Sequence, residues 1–449
     1  MTIKPKLNLF DTTMIVVSMI IGAGIFRTPS EVALKAGSTT LFFTAWIVGG
    51  VIAVMGGLTF AEIGARRPVA GGFYDLVSHA YGTAPAFMLN WVMVIINGVN
   101  GAAITLVGVD YVYPYLVPEA WRGTIDNRIA AALLILVLYG INLAGIKTGA
   151  RVQNVLSIAK IVLILGVAFF AFAGPDGAAP DVAEPTRPFS PALLLAFFTA
   201  LVPVFFTYGG YQTTMNIGAD IQQPKRNLPI GILCGVAIVV VLYLLINYAY
   251  TAVLGLPEIA ASKKVAGDLA ERLFGPWGNK AISFAIFLSL VGFMNVTLIH
   301  QPRAYLAMAA DRVLPPLFGR VHPRTQTQVF GLSFYVVTIL VSFWFLREFG
   351  RMLDFIMFID MLLMGVLAST IFVLRRQDAR SGSYDGYTVP LYPVLPAAYL
   401  LFLLAVLVGM FVNDVFVTKT YYCLVSLAIM VAGYPLLLLC RRLYGADAA

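Results

Sequence analysis

The chain is 449 residues long, 60% hydrophobic and only 12% charged, which excludes a soluble protein with one globular core, because no such core takes up that much apolar surface. Its net charge of +8 is spread between apolar runs rather than gathered in one patch, which points to membrane-topology signals and away from a nucleic-acid surface. The three cysteines, Cys234, Cys423 and Cys440, all lie in apolar runs and show neither pairing nor metal-ligand spacing, so no disulfide framework, metal or cofactor is expected.

Apolar runs of about twenty residues, each enough to cross a bilayer, recur about twelve times and predict an all-α polytopic membrane protein. The short basic start, MTIKPKLNLFDTT, is not followed by a cleavage site, so the first run, at 14–34, is kept as a span, with Asp11 placed to cap it. Its middle, SMIIGAGIF, is interrupted by Gly22, Ala23 and Gly24. Spans two and three follow at 41–64 and 84–113. Glu62 and Arg66, at helical spacing, predict an ion pair at the end of span two, and Asp110 reads as an interfacial group in the outer part of span three. Spans four and five are expected at 129–144 and 152–173, with Lys160 near the middle of span five. A Pro- and Gly-rich loop leads to span six at 192–217, where FFTYGGYQ brings a second interruption at Gly209 and Gly210. The remaining spans fall at 230–254, 281–308, 329–345, 353–374, 394–411 and 421–439. His300 reads as a packing histidine of span eight, Arg303 as an anchor at its inner end, and Asp360 as a polar group in span ten. Lys and Arg collect on one side of the alternation, for example Lys4, Lys6, Arg66, Arg67, Lys147, Arg151, Lys225 and Arg226, so both termini are expected in the cytoplasm.

Spans one and six hold matching places in two five-span halves, 9–174 and 190–376, with two further helices over 394–441. One pair of glycines is accounted for by close helix packing. Two interruptions at matching places point instead to a transporter built from inverted repeats, although the repeat is read from span order and not from residue similarity. Unwound backbone at membrane depth persists only where protein or a polar ligand satisfies it. A half-helix starting near Ala23 and Gly24 offers N–H groups and a positive dipole end to a carboxylate. Carbonyls freed before the breaks, at Ile20 and at Phe206 and Thr207, suit an ammonium. One small site thus holds a zwitterion without a charged side chain.

These stretches resemble the amino acid–polyamine–organocation superfamily. SMIIGAGIF is similar to its first-span signature. AEIGARRPVAGGFYDLVSHAYG, GIKTGARVQNVLSIAK, FFTYGGYQTTMNIGADIQQPKRNLP and RAYLAMAADRVLP are similar, in order, to its L-type amino acid transporter branch. The resemblance implies a LeuT-like fold of two inverted five-helix repeats plus two helices. It implies a carboxylate site on the N–H groups of Ala23 and Gly24, where Ala23 replaces the common Ser. It places the amine on the carbonyls of Ile20, Phe206, Thr207 and Gly209, with Phe206 as the gate. Tyr211 and Gln212 stand where Trp and Asn are common and shape the side-chain pocket. Of the family's acidic pair after span six, Ala219 and Asp220 leave one carboxylate.

An ionisable group as deep as Lys160 is costly and is read as functional by default. Bracing spans one and eight through backbone carbonyls is the bland reading, and the two are compatible. In the family the matching lysine sits where sodium-coupled relatives hold an ion, which implies sodium-independent transport. The reading is an exchanger of neutral L-amino acids working by alternating access. Proton-coupled uptake and a cationic substrate countered by Asp360 are the alternatives. Some animal relatives join a single-span glycoprotein through a cysteine between spans three and four. The segment 115–127 has none, so no disulfide-linked heavy chain is expected. The compact loops suit a bacterial inner membrane. His79, His300 and His322 are scattered, no catalytic motif is present, and no repeated filter marks a channel.

Overall fold

The computed structural model describes residues 7–22, 24–67, 72–121, 124, 126–143, 158, 161–162, 164–166, 168–170, 190–322, 327–345, 349–381 and 384–444. Every regular element among them is a helix: α1 Leu9–Ile20, α2 Gly24–Ala36, α3 Thr39–Arg66, α4 Gly72–Tyr81, α5 Thr83–Leu116, α6 Asn127–Leu143, α7 Pro191–Tyr208, α8 Pro224–Ala261, α9 Val265–Ala310, α10 Val329–Phe345, α11 Phe349–Ser381, α12 Val394–Val412 and α13 Tyr422–Tyr444. Eight are long and apolar enough to cross a membrane, the bent pair α1–α2 makes a ninth, and α6 and α10 supply two shorter apolar helices. The expected fifth span, and Lys160 with it, lies outside the described residues apart from short helical pieces.

Helix starts follow from local chemistry. Asn8 caps α1 by accepting from Asp11 N–H at 2.9 Å, while Asp11 accepts from Asn8 N–H at 3.1 Å. Asp11 is therefore the third residue of a reciprocal capping box rather than the cap itself. Ser38 and Ser190 accept from Leu41 and Leu193 N–H, each at 3.2 Å, and Pro191 opens α7 where no amide hydrogen is needed. Two helices outrun their expected spans. α8 continues through a bend at Gly255 (φ 72°), and α9 begins sixteen residues before 281 and bends at Gly275 (φ 70°). Asp268, Glu271 and Arg272 in that early stretch dilute its hydropathy, which is why the apolar run shows only the later part.

The described chain forms two compact units that alternate along the sequence: Met1–Ala70, Gly149–Ile286 and Ala368–Lys419 make one, and Gly71–Thr148, Phe287–Leu367 and Thr420–Ala449 the other. In the first, α8 packs on α1, α2 and α3, and α7 packs on α2, α3 and α12. Trp46, Tyr208 and Tyr243 form an aromatic cluster there, with ring centroids 5.2–6.2 Å apart. In the second, α5 is central and packs on α4, α6, α10 and α13. Asn142 Nδ2 donates to Asn295 Oδ1 at 2.9 Å, and Tyr335 donates to the Asn97 carbonyl at 3.2 Å. Asp110 is half-buried near the end of α5 and accepts from Asn127 Nδ2 at 2.7 Å.

The Glu62–Arg66 pair is present at 2.6 Å but is one edge of a larger network in the first unit. The fully buried Glu62 also accepts from Arg375 Nε at 2.8 Å, Arg375 Nη2 at 2.7 Å and Val389 N–H at 2.5 Å. Arg66 additionally pairs with Asp378 and lies 3.9 Å from the centroid of the Tyr384 ring, while Arg375 lies 3.7 Å from that of Tyr392. Burial pushes the Tyr384 hydroxyl up to about 12, so it stays neutral beneath the guanidinium. The carboxylate thus ties the end of α3 to α11 and to the segment leading into α12.

Candidate functional site

Both glycine interruptions are real departures from helical bonding. In the first span the α-type ladder ends with Ile21 N–H donating to the Val17 carbonyl at 2.8 Å. Gly22 N–H then turns back to the Ile20 carbonyl at 2.8 Å, and α2 restarts at Gly24, bent 43° from α1. In the sixth span the ladder ends with Gly209 N–H donating to the Phe205 carbonyl at 2.8 Å. Gly209 is extended and Gly210 has φ +116°, a conformation that favours glycine. A 3-10 segment, Tyr211–Asp220, follows. Gly210 N–H, the next donor in line for the Phe206 carbonyl, instead donates to Gln212 Oε1 at 2.9 Å. The Gly210 carbonyl accepts from Thr213 N–H at 3.0 Å and Thr213 Oγ1 at 2.5 Å.

The two interruptions touch. A Cβ on Gly24 would lie 2.9 Å from Thr207 Cα, and one on Gly210 would lie 2.4 Å from the Met19 carbonyl oxygen. The buried hydroxyls of Thr28 and Thr207 are hydrogen-bonded across the same contact, so α2 is stitched to the end of α7. On the other side Thr213 Oγ1 donates to Met19 Sδ at 3.0 Å. The structure therefore brings Ile20, Gly22, Gly24, Thr207, Gly209 and Gly210 to one junction of the first unit. Nothing lies within 4 Å of a Cβ built on Gly22, so that glycine faces open space.

The expected ligands are placed unevenly. Ala23 lies outside the described residues, and Gly24 is the first residue of α2. The Ile20 carbonyl accepts from Gly22 N–H and also from the buried Tyr243 hydroxyl at 3.1 Å, so an ammonium there must compete with both. Phe206 is half-buried on the last turn of α7. The sequence reading puts Tyr211 and Gln212 around the substrate's side chain, but both are engaged elsewhere. The Tyr211 ring lies 6.0 Å from that of Phe60, tilted 57° against it, and its hydroxyl is 3.3 Å from the Tyr399 hydroxyl, between α3 and α12. Gln212 is spent on the chain's own interruption. Asp360 belongs to the second unit, half-buried on α11, with no bonding partner among the described residues. Asp220 ends the 3-10 segment, and His300 and Arg303 lie on α9; the side chains of all three are outside the described residues. The cysteines are free, and no group of three metal-ligand side chains occurs among the described residues.

Tyr243 is a contact that apolar periodicity passed over. Tyr243, Asn247 and Tyr250 form a polar stripe at helical spacing on α8, and Tyr250 reaches the Ile25 carbonyl at 3.4 Å. That stripe inside an apolar run is the signal that finds it. Tyr243→Phe removes a buried hydrogen bond and is expected to cost about 1 kcal/mol, read as a lower unfolding midpoint in detergent; an unchanged midpoint contradicts the assignment.

The family model described as amino acid permease matches residues 7–433. The serine/threonine exchanger SteT of Bacillus subtilis (strain 168) is 28% identical over 438 residues, covering 96% of both chains. The large neutral amino acids transporter small subunit 2 of Rattus norvegicus is 28% identical over 446 residues, covering 96% of this chain and 80% of that one. The cystine/glutamate transporter of Homo sapiens is 26% identical over 416 residues, covering 90% and 80%.

Proposed function

Because the chain belongs to the amino acid permease family, we propose that it is a sodium-independent exchanger of neutral L-amino acids working by alternating access. The chain is an integral membrane amino acid transporter and not an enzyme. The observation that carries the proposal is the contact of two interrupted helices, Gly24 on Thr207 and Gly210 on Met19. Peptide N–H groups at Ala23 and Gly24 receive the carboxylate, and the carbonyls of Phe206, Thr207 and Gly209 receive the ammonium, with Ile20 available once Tyr243 yields. The groups bonded at this junction are amides, hydroxyls, one carboxamide and the Met19 thioether. Their neutrality favours a substrate whose only charges are the zwitterion's own. Relatives named as an exchanger of serine and threonine and as a transporter of large neutral amino acids support the same choice.

The halves 9–174 and 190–376 are read as inverted repeats that rock about this site, with Phe206 closing over the substrate. Lys160 takes the place of a coupling cation. Both termini face the cytoplasm, and no disulfide-linked partner is needed. The test is uptake of labelled amino acid into liposomes reconstituted with the pure protein. Preloading with an unlabelled neutral amino acid is expected to accelerate uptake, with no requirement for sodium. A second reading, proton-coupled uptake, rests on Asp360, which has no bonding partner among the described residues. If an inward proton gradient drives uptake into empty liposomes and Asp360→Asn abolishes it, that reading replaces exchange.

A further inference from the structure

We propose that α3 is a splint across the sixth-span interruption, and that Gly56 is a positioning residue which, through Tyr211, sets the room left for the substrate's side chain. The inference rests on the reading above that the substrate lies between the two interruptions, and adds the residue that limits its size. The interruption reads Tyr208-Gly209-Gly210-Tyr211, and both tyrosines are buried against α3. A Cβ on Gly49 would lie 3.6 Å from Tyr208 Cδ2, and one on Gly50 would lie 3.3 Å from the Tyr208 hydroxyl oxygen. A Cβ on Gly56 would overlap the Tyr211 hydroxyl oxygen outright and lie 3.0 Å from Tyr211 Cζ. Gly49 and Gly56 are seven residues apart, which puts them on one face of α3 and about 10.5 Å apart. In an unbroken helix residues 208 and 211 would be only about 4.5 Å apart along the axis. The two glycine notches thus hold apart the side chains that flank the break.

Tyr211 is confined in its slot. Its hydroxyl is 3.3 Å from that of Tyr399 and its ring 6.0 Å from that of Phe60. Tyr399, fully buried on α12, is a second wall, with Cε2 3.0 Å from the same Cβ position on Gly56. A methyl group at Gly56 therefore pushes Tyr211 along its own length, off α3. The 3-10 segment that begins at Tyr211 packs on α1 as well as on α3, and Gly210 sits against the Met19 carbonyl. The displacement brings the two interruptions together and narrows the space between them. The carboxylate and ammonium of every L-amino acid are alike, so a narrower space discriminates by the side chain.

The experiment measures binding of neutral L-amino acids, from alanine to phenylalanine, to the purified full-length protein, by competition with the one giving the fastest counterflow. The quantity read is the ratio of affinities for the smallest and the largest acid that wild type binds. Gly56→Ala is expected to shift that ratio about tenfold in favour of the small acid. Combining Gly56→Ala with Tyr211→Phe exchanges a hydroxyl for a methyl group in the same slot, and is expected to return most of the way to the wild-type ratio. Tyr211→Leu falls short of the notch and lets the segment settle nearer to α3, so it is expected to shift the ratio toward the large acid; it carries the test if Gly56→Ala does not fold. If Gly56→Ala weakens all the acids alike or none, or if Tyr211→Phe does not restore the ratio, Gly56 is only a brace and the proposal falls although the binding site stands. An unchanged ratio in Tyr211→Leu overturns it equally. If wild type binds no neutral L-amino acid, the reading above fails and takes the proposal with it.

Discussion

Gly24→Val is expected to abolish measurable amino acid binding, a loss of about 100-fold or more in affinity. The first Cβ added at this position meets Thr207 Cα at 2.9 Å and the Thr207 side chain at 3.0 Å. The nearest of these atoms is backbone and cannot swing aside. Valine adds two further methyl groups, and overpacking of this kind costs about 1–3 kcal/mol. The relief available is a shift of the start of α2 away from α7. That shift breaks the Thr28–Thr207 hydrogen bond and moves the amide assigned to the carboxylate. Losing the charge-assisted bonds adds to the strain, and each 1.4 kcal/mol is tenfold in affinity. Gly22→Ala is the control for folding. With nothing within 4 Å of its Cβ, it is expected to leave the unfolding midpoint unchanged. Retained affinity in Gly24→Val means that the carboxylate binds elsewhere.

Glu62→Gln is expected to produce the largest loss of stability, about 3–5 kcal/mol, the usual effect of removing one partner from a buried ion pair. The neutral amide keeps the shape of the side chain. It leaves Arg375, bound through two nitrogens, and Arg66 facing each other with Asp378 as the one remaining counter-charge among the described residues. It also weakens the acceptor of Val389 N–H. The consequence reaches three segments at once, the end of α3, the end of α11 and the approach to α12, so the unfolding midpoint and the yield of folded protein in detergent both fall. Removing the orphaned cation as well, in Glu62→Gln with Arg375→Met, is expected to recover part of the loss. A single Glu62→Gln protein that unfolds at the wild-type midpoint contradicts this account of the network.

The spans were legible because hydropathy reads a property each residue carries by itself. α3, α5, α10, α12 and α13 fall within a few residues of their expected bounds. The interruptions were legible for the same reason, since Gly22, Gly24, Gly209 and Gly210 announce backbone freedom locally. What was not legible depends on partners far along the chain. Glu62 finds Arg375 and Val389 more than 300 residues away, and Tyr243 finds Ile20 across 223. No spacing rule links such pairs. Gln212 is a different case. Its partner Gly210 is two residues away, yet a sequence reading gives a polar side chain beside a break to the substrate, because a ligand and the chain's own amide are equivalent hydrogen-bond partners until the backbone path is known. The early part of α9 was hidden by its charges, which hydropathy counts against a span although a helix tolerates them where, like Glu271 and Arg272, they face outward.

In the proposed binding mode, peptide groups at two touching helix interruptions hold the two charges of the substrate. A density map of the full-length protein saturated with its amino acid tests this most directly. The carboxylate is expected at about 3 Å from the N–H groups of Ala23 and Gly24, and the ammonium at a similar distance from the carbonyls of Phe206, Thr207 or Gly209. An amino acid bound through charged side chains, away from both interruptions, contradicts it.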